Sequence, residues 1–396
     1  MHKKVILVIL DGVGVGELPD ANLYKDEGSN TLANLSDNVA SLNLPNLQKF
    51  GLGNIIPIKF VPPSEQPNAS FGKMAAKSKG KDSTTGHWEL LGVITEKEFL
   101  TYPNGFPDDL LEKFLSATNS KGYLGNKAAS GTDIINDLGE EHQRTGFPII
   151  YTSADSVFQI AAHEQTIPLE RLYEICEISR TQVCIGKHLV GRIIARPFAG
   201  DPGNYKRTGN RRDFSVAPHG DTLLDILKNK NIPTIGIGKI DDLFAGRGLS
   251  EIIHTKSNAE GVRSIIEQSK KNKSGLIIAN LVDFDQLYGH RNDPLGFANA
   301  LEEFDLALPK IAETLSDGEW LILTADHGND PITPSTDHSR EYVPILCYSP
   351  DDKVGINLGI RESFADLAKT IGEIFELDDS SLQISGTSFY HSLINK

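Results

Sequence analysis

Apolar residues fall in short runs, each ending on an acidic or polar residue: Val5–Leu10 closed by Asp11, Thr234–Ile237, Leu276–Ile278 leading into Leu281–Val282, and Leu321–Leu323. Runs this short, followed by glycine-rich or helix-periodic sequence, predict buried strands of a mostly parallel sheet. Helical periodicity alternates with them at Asp221–Leu227, Leu295–Thr314 and Glu362–Phe375. The pattern predicts an α/β fold with helices on the faces of the sheet. In such sheets ligands bind beyond the carboxyl ends of the strands, so chemistry is sought just after each run.

The pattern is interrupted. Strand-then-polar units occupy the first hundred residues and everything after about residue 220. The interval between opens on Tyr102-Pro103-Asn104-Gly105-Phe106-Pro107 and closes on Ala217-Pro218-His219-Gly220. Such turn-rich crossings predict a discontinuous core, residues 1–100 and 219–396, with a domain inserted at 101–218. Length agrees, since 396 residues exceed the roughly 250–300 at which single cores stop growing.

Composition narrows the class. With 39% hydrophobic and 23% charged residues the chain reads as globular. No segment approaches the roughly 20 apolar residues of a membrane span, and the run Val5–Leu10 lacks a cleavage site, so a cytoplasmic location is expected. Cys176, Cys184 and Cys347 offer neither a disulfide framework nor a thiolate metal site. The net charge of −14 argues against nucleic acid and anionic membranes as partners, and no obligate protein partner is evident. The charge is uneven, however. Lys187–Arg212 holds seven basic residues against Asp201 alone, a local +6 that leaves −20 for the remainder. Guanidinium groups clustered in an acidic chain suit a small phosphorylated ligand.

Three strand ends carry ligand-type residues: Asp11; then Asp283, Asp285 and His290 in VDFDQLYGH; then Asp326, His327 and His338 in TADHGNDPITPSTDHSRE. Adjacent Asp326 and His327 serve one ion only where a strand gives way to a turn. Asp285 and His290 close together across a Tyr288-Gly289 bend, with His338 arriving from the next loop. Carboxylate and imidazole without thiolate favour manganese or zinc. Two divalent ions among three carboxylates leave a net +1, which attracts and polarises a phosphate. The segment GKDSTTGHWE offers a nucleophile from Ser83, Thr84 or Thr85 ahead of a helix-like stretch, and spacing does not choose among them.

Together, LDGVGVGELPDA, GKDSTTGHWE, GNKAASGTDI, YTSADSVFQIAAHE, VGRIIARPFAGDPGNYKRT, NLVDFDQLYGHRNDP and TADHGNDPITPSTDHSREYVP closely resemble the phosphopentomutase family of the alkaline phosphatase superfamily. The resemblance runs from about residue 5 to GTSF at Gly386–Phe389. It implies an alkaline-phosphatase-like core interrupted by an α/β cap, with two manganese ions between them. It further implies that Asp11, Asp326 and His327 hold one ion with the nucleophile oxygen, and Asp285, His290 and His338 the other. Arg192, Arg207 and Lys239, with Ser153 and Asp155, fall where the family contacts the sugar phosphate. The family nucleophile is usually a threonine immediately after Lys-Asp; here that position is Ser83, with Thr84 and Thr85 following it. The implied activity is interconversion of ribose or deoxyribose 1- and 5-phosphates through a phosphoserine and a 1,5-bisphosphate, primed by a hexose or pentose bisphosphate.

Other readings use parts of the same residues. A metal-dependent phosphohydrolase or phosphodiesterase shares ions and nucleophile but passes phosphate to water. Cofactor-independent phosphoglycerate mutase shares the core, yet is typically longer and has a different nucleophile segment. A metal-binding scaffold protein with a vestigial site requires neither the hydroxyl nor the basic cluster.

Overall fold

The computed structural model describes residues 3–153, 155–351 and 354–394. Ala154, within the YTSADS motif, lies outside the described residues. Two compact units form: residues 1–97 with 218–396, and residues 98–217.

In the first unit the strand Lys4–Leu10 is buried throughout, as expected of a central strand covered on both faces. It pairs in parallel with Gly275–Leu281 on one side and Trp320–Thr324 on the other. The full order is Glu251–Ile253, Thr234–Ile237, Gly275–Leu281, Lys4–Leu10, Trp320–Thr324, Val343–Tyr348, Ser70–Met74 and Asn357–Arg361. Only Val343–Tyr348 runs against its neighbours, so the sheet is mostly parallel. Lys4, buried at the start of the first strand, donates to Ser269 O and pairs with Glu319 at 3.1 Å. A buried ammonium persists only when paired in this way.

The two expected runs at 276–278 and 281–282 are one strand, Gly275–Leu281, whose polar Asn280 is buried and turned to the site. The expected helices appear as Leu223–Asn229, Pro294–Ala312 and Ala365–Ile374. The first is fixed by a reciprocal cap in which the Asp225 carboxylate accepts from Thr222 N at 2.9 Å.

The second unit has its own sheet, ordered Leu124–Ala128, Ile149–Thr152, Val157–His163, Arg192–Ala199, Lys206–Arg207, with Arg212–Ser215 also paired to Arg192–Ala199. Alternation sorts its side chains. Phe158, Ile160, Ile193 and Ala195 pack with Leu110, Phe114, Leu172 and Ile175 of helices Asp108–Thr118 and Leu169–Ile178. Ile149, Tyr151, Ala161 and Phe198 pack with Ile134 and Ile135 of helix Gly131–Thr145. Cys176, Cys184 and Cys347 are buried, and none of them forms a disulfide among the described residues. Among the described residues no helix is long and apolar enough to cross a membrane.

Candidate metal centre

The three central strands of the first unit end side by side, and each delivers ligands at its carboxyl end. Asp11 follows Leu10, Asp326 and His327 follow Thr324, and Asp285 stands four residues after Leu281 in the helical turn Phe284–Tyr288. His338 arrives on the segment that leads back into Val343–Tyr348. Asp283 does not join them. Its carboxylate accepts from Asn258 N at 2.7 Å and holds the start of helix Asn258–Lys271.

Two groups of donors result, Asp11 with Asp326 and His327, and Asp285 with His327 and His338. His327 Nε2 is 3.2 Å from Asp326 Oδ2 and 3.4 Å from Asp11 Oδ1. His338 Nε2 is 3.2 Å from Asp285 Oδ1, and His290 Nε2 is 3.2 Å from Asp285 Oδ2. His290 thus sits on the far oxygen of Asp285 and outside the tighter group. The His327 and His338 rings stack at 3.8 Å.

Several of these atoms are close without bonding. Asp11 Oδ1, Asp326 Oδ2 and His338 Nε2 are buried and make no hydrogen bond among the described residues. Buried polar atoms left unpaired are costly, and acceptors converging in this way fit divalent cations with oxygen and nitrogen ligands. The electrostatics agree. Asp11 is pushed up to about 6, chiefly by burial and then by the charges of Asp326 and Asp285. Asp326 and Asp285 are held low, because the imidazoles beside each outweigh the burial that would raise them. His327, which burial alone would lower, rises to about 10 under Asp326, Asp11 and Asp285. In this pocket a proton on His327 does part of the work of a cation.

The hydroxyls sort themselves on helix Ser83–Leu90. Asp82 is its N-cap: Oδ1 accepts from Thr85 N at 3.0 Å and Oδ2 from Thr85 Oγ1 at 2.7 Å. Thr85 is therefore occupied in capping. Thr84 is buried. Ser83 Oγ lies 3.1 Å from His327 Nε2 and so faces the donor groups.

Several supporting residues escaped the sequence reading. Asn280 Nδ2 donates to Asp11 Oδ2 at 2.9 Å, and Asn329 Nδ2 donates to Asp285 Oδ1 at 2.7 Å. His87 Nδ1 is 3.0 Å from Asp326 Oδ2 and 2.8 Å from Ser83 O. Glu341 binds Thr31 and Ser339 through Oε1 and the backbone of Thr31 and Gly16 through Oε2. An asparagine inside an apolar strand, as at Asn280, was the available signal, because a buried amide needs a partner.

Of the remaining expected residues, Lys239 follows Thr234–Ile237 at the carboxyl edge of the first unit's sheet. Ser153, Asp155, Arg192 and Arg207 belong to the second unit. Ser153 and Asp155 lie in the turn between Ile149–Thr152 and Val157–His163. Arg192 is 3.5 Å from Asp155 and 3.7 Å from Asp213, whereas Arg207 reaches Thr132 Oγ1 at 3.2 Å.

Residues 3–379 match the family model described as the Metalloenzyme superfamily. A phosphopentomutase of Dictyoglomus turgidum is 58% identical over 391 residues, covering 99% of this chain and 98% of that protein. A phosphopentomutase of Caldanaerobacter subterraneus is 55% identical over 393 residues, again covering 99% and 98%. Among solved structures, the PH0037 protein of Pyrococcus horikoshii aligns with a TM-score of 0.50 at 14% identity, covering 96% of this chain and 99% of that one. That likeness concerns the fold alone.

Proposed function

The chain belongs to the phosphopentomutase family of the alkaline phosphatase superfamily, and on that premise we propose that it interconverts the 1- and 5-phosphates of ribose and 2-deoxyribose through a phosphoserine at Ser83. The observation that carries the assignment to Ser83 is its hydroxyl, 3.1 Å from the imidazole common to both donor groups.

Asp11, Asp326 and His327 would hold one divalent ion and Asp285, His290 and His338 a second. Manganese is the metal we assign, and such ions would supply positive charge that polarises phosphoryl oxygens and acidifies the serine hydroxyl. The chain's own groups do the rest. Asp82 and Thr85 fix the first turn of helix Ser83–Leu90, so that Ser83 is presented from the helix N-terminus, where backbone N–H groups favour a phosphoryl group. Phospho-Ser83 passes its phosphoryl group to O1 of ribose 5-phosphate, the O1 proton leaves, and a 1,5-bisphosphate forms. Ser83 then attacks the 5-phosphate, the O5 leaving group takes a proton, and ribose 1-phosphate departs. A hexose or pentose bisphosphate would prime the resting serine. To sugar-phosphate recognition we assign Ser153, Asp155, Arg192, Arg207 and Lys239. The cytoplasm is the expected location.

The test incubates the protein with ribose 1-phosphate, manganese and a trace of labelled bisphosphate, follows ribose 5-phosphate and free phosphate together, and maps the label. Conversion without phosphate release, with label on Ser83, is expected, and Ser83→Ala should abolish it. Label on Thr84 or Thr85 would move the nucleophile; free phosphate exceeding isomer would make the enzyme a phosphohydrolase.

A further inference from the structure

Ser83 is gripped at two atoms by imidazoles that arrive on different segments. Its hydroxyl lies 3.1 Å from His327 Nε2, and its backbone carbonyl lies 2.8 Å from Nδ1 of His87, one turn further along helix Ser83–Leu90. The two rings meet at one atom. Asp326 Oδ2 is 3.2 Å from His327 Nε2 and 3.0 Å from His87 Nδ1, and it makes no hydrogen bond among the described residues. Four residues thus close a cycle, from the Ser83 hydroxyl through His327, Asp326 and His87 back to the Ser83 carbonyl. His87 is fully buried. Both neighbours of its Nδ1 are acceptors, so that nitrogen carries the proton and donates it to Ser83 O. Its Nε2 has no hydrogen-bond partner among the described residues. A phenyl ring would fill the same space without burying an unpaired nitrogen, so the reason for an imidazole here lies at its Nδ1 edge.

The two grips differ in what the chemistry does to them. Any transfer of a phosphoryl group to or from Ser83 remakes the bonds at its Oγ, so the contact with His327 changes at each step. The carbonyl contact leaves the reacting atom alone and persists in both forms of the serine. We propose that His87 is a positioning residue that holds Ser83 in register with Asp326 throughout turnover. It acts through the Ser83 backbone, not on the substrate, and the proposal rests on Ser83 being the nucleophile of the mutase reading. Holding a reacting atom in place speeds the step without tightening the ground-state complex, so its loss falls on kcat and spares KM.

The experiment compares His87→Asn with His87→Phe in the full-length protein supplied with manganese. Asparagine carries an amide nitrogen on Cγ, where histidine carries Nδ1, and so keeps the donor while leaving much of the ring's space empty. Phenylalanine fills the space and removes the donor. With ribose 5-phosphate, kcat should fall about a hundredfold for phenylalanine and about tenfold or less for asparagine, with KM within about twofold of wild type in both. Transfer of label from a trace of labelled bisphosphate to Ser83 should slow in the same order. Urea midpoints, and the rise in Tm on adding manganese to chelated protein, are read beside these rates. A ring that merely fills the core predicts the reverse, phenylalanine above asparagine in stability and turnover together, and that result would overturn the proposal. So would a manganese-dependent rise in Tm lost in both variants, since His87 would then serve Asp326 and its ion, not Ser83. Sequence-assigned nitrogen NMR of the wild-type protein should show His87 protonated on Nδ1; a proton on Nε2 alone would remove the donor and overturn the proposal even if neither variant folds. Slower labelling of Ser83 in His87→Phe, beside a wild type that labels Ser83 but does not isomerise ribose 5-phosphate, would support the positioning role and overturn the mutase reading.

Discussion

Replacing Gly86 with alanine should separate Ser83, the proposed nucleophile, from the proposed metal ligands without altering either. Gly86 lies one turn into helix Ser83–Leu90, and its missing side chain lets the helix rest on the segment that carries Asp326 and His327. A Cβ there would fall 2.2 Å from Asp326 O and 2.9 Å from its carbonyl carbon. These are backbone atoms, so no side chain can swing aside. Relaxing the contact to 3.0 Å, the least a Cβ tolerates, needs a shift of 3.0 − 2.2, about 0.8 Å. That is a quarter of the 3.1 Å between Ser83 Oγ and His327 Nε2. Alanine recovers about 1 kcal/mol of helix propensity against roughly 1–3 kcal/mol of overpacking. The variant should therefore stay folded, losing at most about 2 kcal/mol. A misplacement near 1 Å costs on the order of a hundredfold in rate. Isomerisation of ribose 5-phosphate, followed beside urea unfolding, reads both quantities. Turnover within about threefold of wild type, at unchanged stability, would show that the close approach does not position Ser83.

Three further outcomes follow from contacts around the site. Glu89, fully buried, accepts from Lys77 N, Ser363 Oγ and Phe364 N through Oε1 and from Ser78 N through Oε2. Glu89→Gln turns an amide N–H toward one of those donors and should lower unfolding stability by about 1–3 kcal/mol; an unchanged urea midpoint would contradict it. Arg340 donates through Nη1 to Ser78 O and Gly80 O, through Nη2 to Ala76 O, and through its fork to Asp20. A lysine cannot reproduce that planar set, so Arg340→Lys should lose roughly 2–3 kcal/mol and free the segment ahead of Ser83 for proteolysis. Finally, Asp11 and His327 hold protons more tightly folded than unfolded when no cation is bound. Asp11 contributes stability that is lost as pH rises through about 6, and His327 contributes stability lost as pH rises through about 10. The rise in Tm produced by adding manganese to chelated protein should therefore grow between about pH 6 and 9, and a flat or shrinking rise would refute the reasoning.

The central part of this fold was legible because its strands are buried on both faces and read as unbroken apolar runs. Thr234–Ile237 has the bounds its sequence suggests, and Lys4–Leu10 and Trp320–Thr324 gain one or two flanking residues. Asn280 broke the pattern of Gly275–Leu281, since its amide serves Asp11 and not the core. The strands toward one edge of the sheet were not legible. Val343–Tyr348 contains Pro344, a residue that argues against an interior strand; it sits one position beyond the last pair with Trp320–Thr324, Thr324 with Ile345, and so lacks a neighbour on that side. Asn357–Arg361 is an edge strand with a register shift at Gly359. The carboxylates and imidazoles that converge were legible because each follows a strand run in the sequence. Their supports were not, because Arg340 and Glu341 act on segments some 260 to 325 positions away.

In the proposed two-ion centre, the histidine tautomers bear on how the ions would be shared. His327 lies in both donor groups, yet its Nδ1 is 3.0 Å from Gly328 O. With a proton on Nδ1 for that carbonyl, only Nε2 retains a lone pair, and one lone pair serves one ion. His290 is fixed in the same sense, its Nδ1 2.7 Å from Thr336 O and its Nε2 directed at Asp285. Two carboxylates, Asp11 and Asp326, face His327 Nε2 from one side, whereas the other group offers Asp285 alone. The stronger field would take His327. Asp285 would then share the second proposed ion with His338 and His290, whose Nε2 atoms are each 3.2 Å from one of its carboxylate oxygens. The proposed division into Asp11, Asp326 and His327 against Asp285, His290 and His338 would give each imidazole a single ion, in keeping with the two backbone carbonyls that Nδ1 of His327 and of His290 face.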